Sequence, residues 1–138
     1  MLLGQAQRAA LIALVNPISA HFEYFRPHLI FGLYTDIARN QTHGEPLRFF
    51  EIGKAAAYEK NKIFEENKLA AIIASSRPAS ELFYELKGYL DTFFQGLGIS
   101  ETVFKEGKEN TAEIIVNDAT LGFAKITDSA SKKFFSRE

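Results

Sequence analysis

An α+β fold, a mainly antiparallel sheet flanked by helices, is what this sequence predicts, and three observations predict it. Apolar residues recur every three or four positions in two separate stretches, 29–37 and 82–97. Short apolar runs bounded by turn residues fill most of the remainder. The links between those runs are short and hairpin-like, so the strands come in groups between helices rather than in strict alternation with them.

The chain opens with a candidate helix end at 5–10, followed by LIALV at 11–15, a continuous apolar run stopped by Asn16-Pro17 and read as a buried strand. A basic residue before AALIALV mimics a short signal peptide. The interruption at Asn16-Pro17 and the lack of a basic segment at the very start favour a short helix feeding a strand instead. Pro27 is placed to open a helix in which Leu29, Ile30, Leu33, Tyr34 and Ile37 form one buried face. Gly32 lies inside that helix, where close packing against a neighbour would explain it. NQTHGEP at 40–46 is a turn-rich connector.

Residues 47–52 and 55–58 read as strand, with Gly53 as a bend or bulge between them. The polar KNKIFEENK leads to LAAIIA at 69–74, a second buried strand joined to the first as a hairpin. Leu82, Leu86, Tyr89, Leu90, Phe93 and Leu97 share a stripe on a long helix that starts near Pro78 and ends at Gly96 and Gly98. Strands follow at 102–105, 112–116 and 121–126, the last two separated by the hairpin turn Asn117-Asp118. A terminal helix is expected at 129–135.

The length, 138 residues, suits a single domain spanning 1–138. Hydrophobic residues make up 46% and charged residues 24%, which excludes a disordered or fibrous class. Sixteen basic and seventeen acidic side chains give a net charge of −1, so the total does not argue for a nucleic-acid or membrane-surface partner. The absence of cysteine excludes disulfides, thiolate metal sites and thiol nucleophiles. No run reaches the ~20 apolar residues of a membrane span. A cytoplasmic location is expected.

Local motifs offer little chemistry. His21, His28 and His43 fit no common zinc spacing, so no metal site is expected. Glu65 and Glu66 read as a solvated turn rather than a carboxylate pair. QGLGIS at 95–100 has two glycines that tempt a phosphate-loop reading, but they follow a helix rather than open one, and a helix cap explains them better. The thirteen phenylalanines sit on apolar stripes and are expected mostly in the core. No catalytic and no cofactor-binding residue is expected in this chain.

Four blocks occur in order: NPIS at 16–19, FRPHLIFGLYTDIARN at 25–40, LRFFEIGKA at 47–55, and ELKGYL at 85–90 followed by LGI at 97–99. The series resembles the core domain of the phenylalanyl-tRNA synthetase β subunit over roughly 11–126. The specificity lies in the combination, not in any one block. The resemblance implies a class II aminoacyl-tRNA synthetase-like core. In catalytic members of that class a strand equivalent to RFFEIG continues into an F-R-x-E pattern, whose arginine holds the ATP α-phosphate. Laid on that pattern, Glu59 falls on the acid and Ala57 on the arginine.

The resemblance therefore implies a catalytically silent segment of a ligase complex. Its partner would be the α subunit, which uses ATP and magnesium to make phenylalanyl adenylate in a heterotetramer. Contact with tRNA(Phe) would come through the whole complex. Phe25, Arg26, Pro27, Gly32, Glu51, Gly53, Lys87 and Gly88 are the fold or interface candidates, with Arg26 either pairing with Glu51 or another carboxylate, or lying free at the surface. The family's chain is several times longer and carries editing and tRNA-contacting parts that this sequence does not match. The opening strands and a final strand of its core are also unmatched, and an open sheet edge would follow. A stand-alone regulatory or small-molecule-binding domain on the same fold is the competing expectation.

Overall fold

A computed structural model describes residues 11–19, 23–59, 62–108 and 110–127. The helices expected near 5–10 and 129–135 lie outside the described residues, as does His21. The chain divides into two compact units, Met1–Ala74 and Ser75–Glu138. Both are α+β with antiparallel pairing, and the described residues contain two α-helices, one in each unit.

The first unit is built on a long hairpin. Strands β3 (Leu47–Glu59) and β4 (Lys62–Ala74) pair one to one along all thirteen positions, from Leu47 opposite Ala74 to Glu59 opposite Lys62. Two expectations fail here. No bulge interrupts the ladder at Gly53, which lies directly opposite Lys68. The polar KNKIFEENK is mostly strand, not connector: the hairpin's far end is exposed on both faces, so apolar alternation is not needed to hold it. Glu65 and Glu66 accordingly sit on β4, where Glu65 pairs with Lys54 at 2.6 Å and Glu66 with Lys68 at 2.7 Å.

Helix α1 (Ile30–Asn40) packs on this hairpin. Leu29, Leu33 and Ile37, spaced by four, form its buried stripe; on β3 Ala55 is buried on the face that carries Gly53, and Ala56 is buried on the other. Pro27 precedes the helix by three residues rather than opening it; the chain turns through His28 and Leu29 first. At the other end Asn40 turns its side-chain amide back to the Asp36 carbonyl, 2.8 Å, and a 3₁₀ turn at Gln41–His43 leads to a cis Glu45-Pro46 bond before β3.

LIALV does not form a buried strand. Only β1 (Ile12–Ala13) pairs, with β2 (Tyr24–Phe25), while Leu14 is 41% and Val15 94% exposed. The pairing runs one bond further, from the Leu14 N–H to the Glu23 carbonyl at 2.8 Å, and Pro27 lacks the N–H that a longer β2 would need.

The second unit sets helix α2 (Ala79–Gly96) beside a three-stranded sheet, β5 (Val103–Glu106), β6 (Thr111–Val116) and β7 (Ala119–Lys125), in sequential order. Alternation along β6 buries Ala112, Ile114 and Val116, together with Ala124 of β7 and Leu90 and Phe94 of the helix. Phe83 of α2 meets Phe104 of β5 edge to face, centroids 6.2 Å apart, and Phe104 lies opposite Ile114, so the helix covers the apolar face. Helix α2 ends in a left-handed Gly98 (φ 79°), whose N–H reaches the Gln95 carbonyl while Ile99 N–H reaches Phe94, a Schellman closure. Asn117 (φ 49°) and Asp118 (φ 63°) give the two-residue turn its I′ shape. Leu121 is an extra residue on β7, since Ile114 pairs with Gly122 and Ile115 with Thr120.

The phenylalanines correct another expectation. Phe94 is buried, but Phe50, Phe64 and Phe123 are 73%, 50% and 68% exposed. Phe50 and Phe123 alternate onto the strand faces away from Gly53 and Ala124, whereas Phe64, opposite Ala57 and so on the Gly53 face, is exposed because it lies at the hairpin's far end.

Candidate functional site

The chemistry-bearing residues of the first unit converge where β2 meets β3. Arg26 directly follows β2, and its guanidinium donates from Nη1 to Glu51 Oε1 and from Nε to the Lys54 carbonyl, 3.3 Å. Its own carbonyl accepts the Ala56 N–H at 3.1 Å. One residue is thus tied to β3 at positions 51, 54 and 56. The ion pair is partly solvated, with side chains 45% and 31% exposed, so after screening it is worth on the order of 1 kcal/mol or less.

Gly53 lies under this arginine. A Cβ there would stand 2.6 Å from Arg26 Nη2 and 3.7 Å from Leu29 Cδ2, so the glycine leaves room for the guanidinium to lie flat on the strand. Gly32 meets the same group more loosely; its Cβ would be 3.7 Å from Glu51 Oε2, ordinary contact. Phe25, half-buried, faces Ile12 across the β1–β2 ladder. Arg26, Gly32, Glu51 and Gly53 therefore form one cluster, with Phe25 and Pro27 flanking it in the chain.

Lys87 and Gly88 belong to the second unit. Lys87 pairs with Asp91, one turn on, and holds its ammonium 5.0 Å from the centre of the Phe104 ring. Gly88 is exposed, with nothing within 4 Å of a Cβ placed on it. Sequence reasoning missed Arg77, whose guanidinium reaches Glu85 and approaches Glu81 at 4.0 Å ahead of and along α2. The spacing of 77, 81 and 85 by four was the available signal. Lys54 was also missed as the acceptor and cation of the β3 cluster.

Ala57 is half-buried opposite Phe64. Two cations of this hairpin, Arg26 and Lys54, are engaged by Glu51 and Glu65. Among the described residues no group of three or more His, Asp and Glu could hold a metal ion, and no helix is long and apolar enough to cross a membrane. An open recess lined by Lys105, Glu106, Gly107, Lys108, Thr111 and Glu113 lies at the β5–β6 turn.

The chain is 32% identical over 101 residues to a phenylalanine–tRNA ligase beta subunit of Thermosynechococcus vestitus, covering 64% of this chain and 12% of that protein. A chloroplastic counterpart of Porphyra purpurea is 33% identical over 125 residues, 81% of this chain and 17% of its own length. The Thermococcus kodakarensis beta subunit is 31% identical over 123 residues, 83% of this chain and 21% of its length. This chain thus spans about a fifth or less of these relatives. Residues 1–127 match the family described as the phenylalanyl tRNA synthetase beta chain CLM domain, and the chain belongs to that family.

Proposed function

We propose that this chain is a catalytically silent core segment of a phenylalanyl-tRNA synthetase β subunit, built on a class II synthetase-like core. In this role its work is assembly: it supports a catalytic α subunit that attaches phenylalanine to tRNA(Phe). ATP and magnesium are used on the α subunit, in the cytoplasm, within a heterotetramer.

The observation that carries the reading is Ala57. Adenylate formation gathers negative charge on phosphoryl oxygens, and a cation or metal must meet it. The methyl group at 57 cannot supply one. Arg26 and Lys54 are held by carboxylates, and moving either onto a phosphate would break its tie to the hairpin. Polar groups at this end of β3 thus serve the fold, while large apolar side chains are left exposed for contact.

Two measurements on the purified chain test the two parts. ATP–pyrophosphate exchange with phenylalanine should be absent from the chain alone; turnover there would overturn its silence. Mixed with a purified α subunit, the chain should co-elute with it in size-exclusion chromatography. Failure to co-elute at micromolar concentrations of both would overturn the assembly role.

A further inference from the structure

Strand β4 is thirteen residues long and is an edge of its sheet: β3 pairs with one side of it, and no described strand pairs with the other. It carries no proline and, among the described residues, no bulge. Such an edge is a template for another strand. Its far half also leaves Ile63 63% and Phe64 50% exposed.

The charges on β4 discriminate among the ways a second β4 could lie antiparallel beside it. A two-fold axis perpendicular to the sheet sets one residue opposite its own copy. Centring on Glu65, Glu66 or Lys68 opposes like charges across the axis. Centring on Asn67 places Glu66 opposite Lys68 of the second copy, twice by symmetry, and pairs the two Asn67 amides. The same register sets Phe64 opposite Ala70 and Ile63 opposite Ala71. The exposed apolar residues of one copy then lie beside the small residues of the other.

We propose that two copies of this chain associate through β4, antiparallel and centred on Asn67, to form a four-stranded sheet in the order β3, β4, β4, β3. The charges that ordinarily blunt an edge here reject the registers centred on Glu65, Glu66 and Lys68, and the Asn67 register overlaps the two strands over 62–72, against only 62–66 for one centred on Phe64, which would set Lys62 opposite Glu66. This inference goes beyond the assembly role proposed above and does not depend on it.

The test is a charge swap followed by sedimentation velocity over a range of concentrations. The unmodified chain should show a monomer–dimer equilibrium. Glu66→Lys and Lys68→Glu should each weaken it about tenfold or more, because each opposes like charges twice. An equimolar mixture of the two variants should dimerise as well as the unmodified chain, since both lysines of one variant then meet the two glutamates of the other across the axis. Both variants lose the Glu66–Lys68 pair within their own chain, so recovery on mixing cannot come from that pair. Circular dichroism confirms that each variant is folded, and the double variant Glu66→Lys/Lys68→Glu, which keeps the internal pair, should dimerise on its own. A strictly monomeric unmodified chain, variants that dimerise unchanged, or a mixture that stays monomeric would each overturn the proposal.

Discussion

Replacing Gly53 by alanine should change sign in its effect on stability according to whether Arg26 is present. In the native background the new Cβ would sit 2.6 Å from Arg26 Nη2, so the guanidinium must retreat by roughly 1 Å to reach van der Waals contact. Retreat weakens both the bond to Glu51 and the 3.3 Å bond to the Lys54 carbonyl. For partly exposed groups that loss is about 1–2 kcal/mol. Against it stands a gain of about 0.5–1 kcal/mol, because alanine has less backbone freedom to lose on folding. The net expectation is a destabilisation of about 1 kcal/mol. In an Arg26→Ala background the nearest of the native contacts left are Glu51 Oε1 at 3.6 Å and Leu29 Cδ2 at 3.7 Å, both ordinary. There Gly53→Ala should stabilise by about 0.5–1 kcal/mol. Urea unfolding of the four proteins, followed by far-ultraviolet circular dichroism, completes the double-mutant cycle, with an expected coupling of about 1–2 kcal/mol. Equal destabilisation by Gly53→Ala in both backgrounds would refute the view that this glycine exists to seat the arginine.

Other substitutions test other parts of the fold. Leu29→Ala, at a side chain only 2% exposed, should cost about 2–5 kcal/mol in the same urea assay. Gly98→Ala forces a β-carbon into a left-handed conformation and should cost about 1–2 kcal/mol, most visibly as faster amide exchange at Gly98 and Ile99. Asp118→Gly should stabilise the β6–β7 turn by up to about 1 kcal/mol, read as a higher unfolding midpoint, because its φ of 63° suits glycine. Glu65→Gln removes an ion pair whose side chains are 62% and 49% exposed and should leave the urea midpoint nearly unchanged.

What was legible in the sequence is what local chemistry alone decides. Leu29, Leu33 and Ile37 recur by four whatever they pack against, Gly98 was expected in a cap because only the end of a helix uses it so, and Asn117-Asp118 folds back without help from the rest of the chain. The misses depend on contacts distant in sequence. Gly53 resembled a bulge because glycine weakens a strand, and its reason is an arginine 27 positions earlier. KNKIFEENK looked like a connector because polarity is a signal of exposure, and an exposed hairpin end satisfies it as strand. The phenylalanines showed how apolar they are, but not which face of a sheet has a helix on it. The Arg26–Glu51 pair was one of several open possibilities, and only the register of β3 against the end of β2 selects it.

The distribution of polar and apolar groups argues the functional reading one step further. A site that forms an adenylate must keep cations available and hold them apart from carboxylates until substrate arrives. In the first unit the opposite is found: Arg26, Lys54 and Lys68 each have a carboxylate partner within the same hairpin. Meanwhile Phe50 and Ile52 stand 73% and 60% exposed on the face of β3 opposite to the one bearing Glu51 and Gly53. Arg26 holds β2 to β3 through Glu51, Lys54 and Lys68 are paired on the hairpin itself, and Phe50 and Ile52 remain exposed beside them. Burial of an aromatic or branched side chain stabilises a contact by about 1.5–3 kcal/mol, so the exposed Phe50 and Ile52 are the surface on which the proposed assembly role would draw.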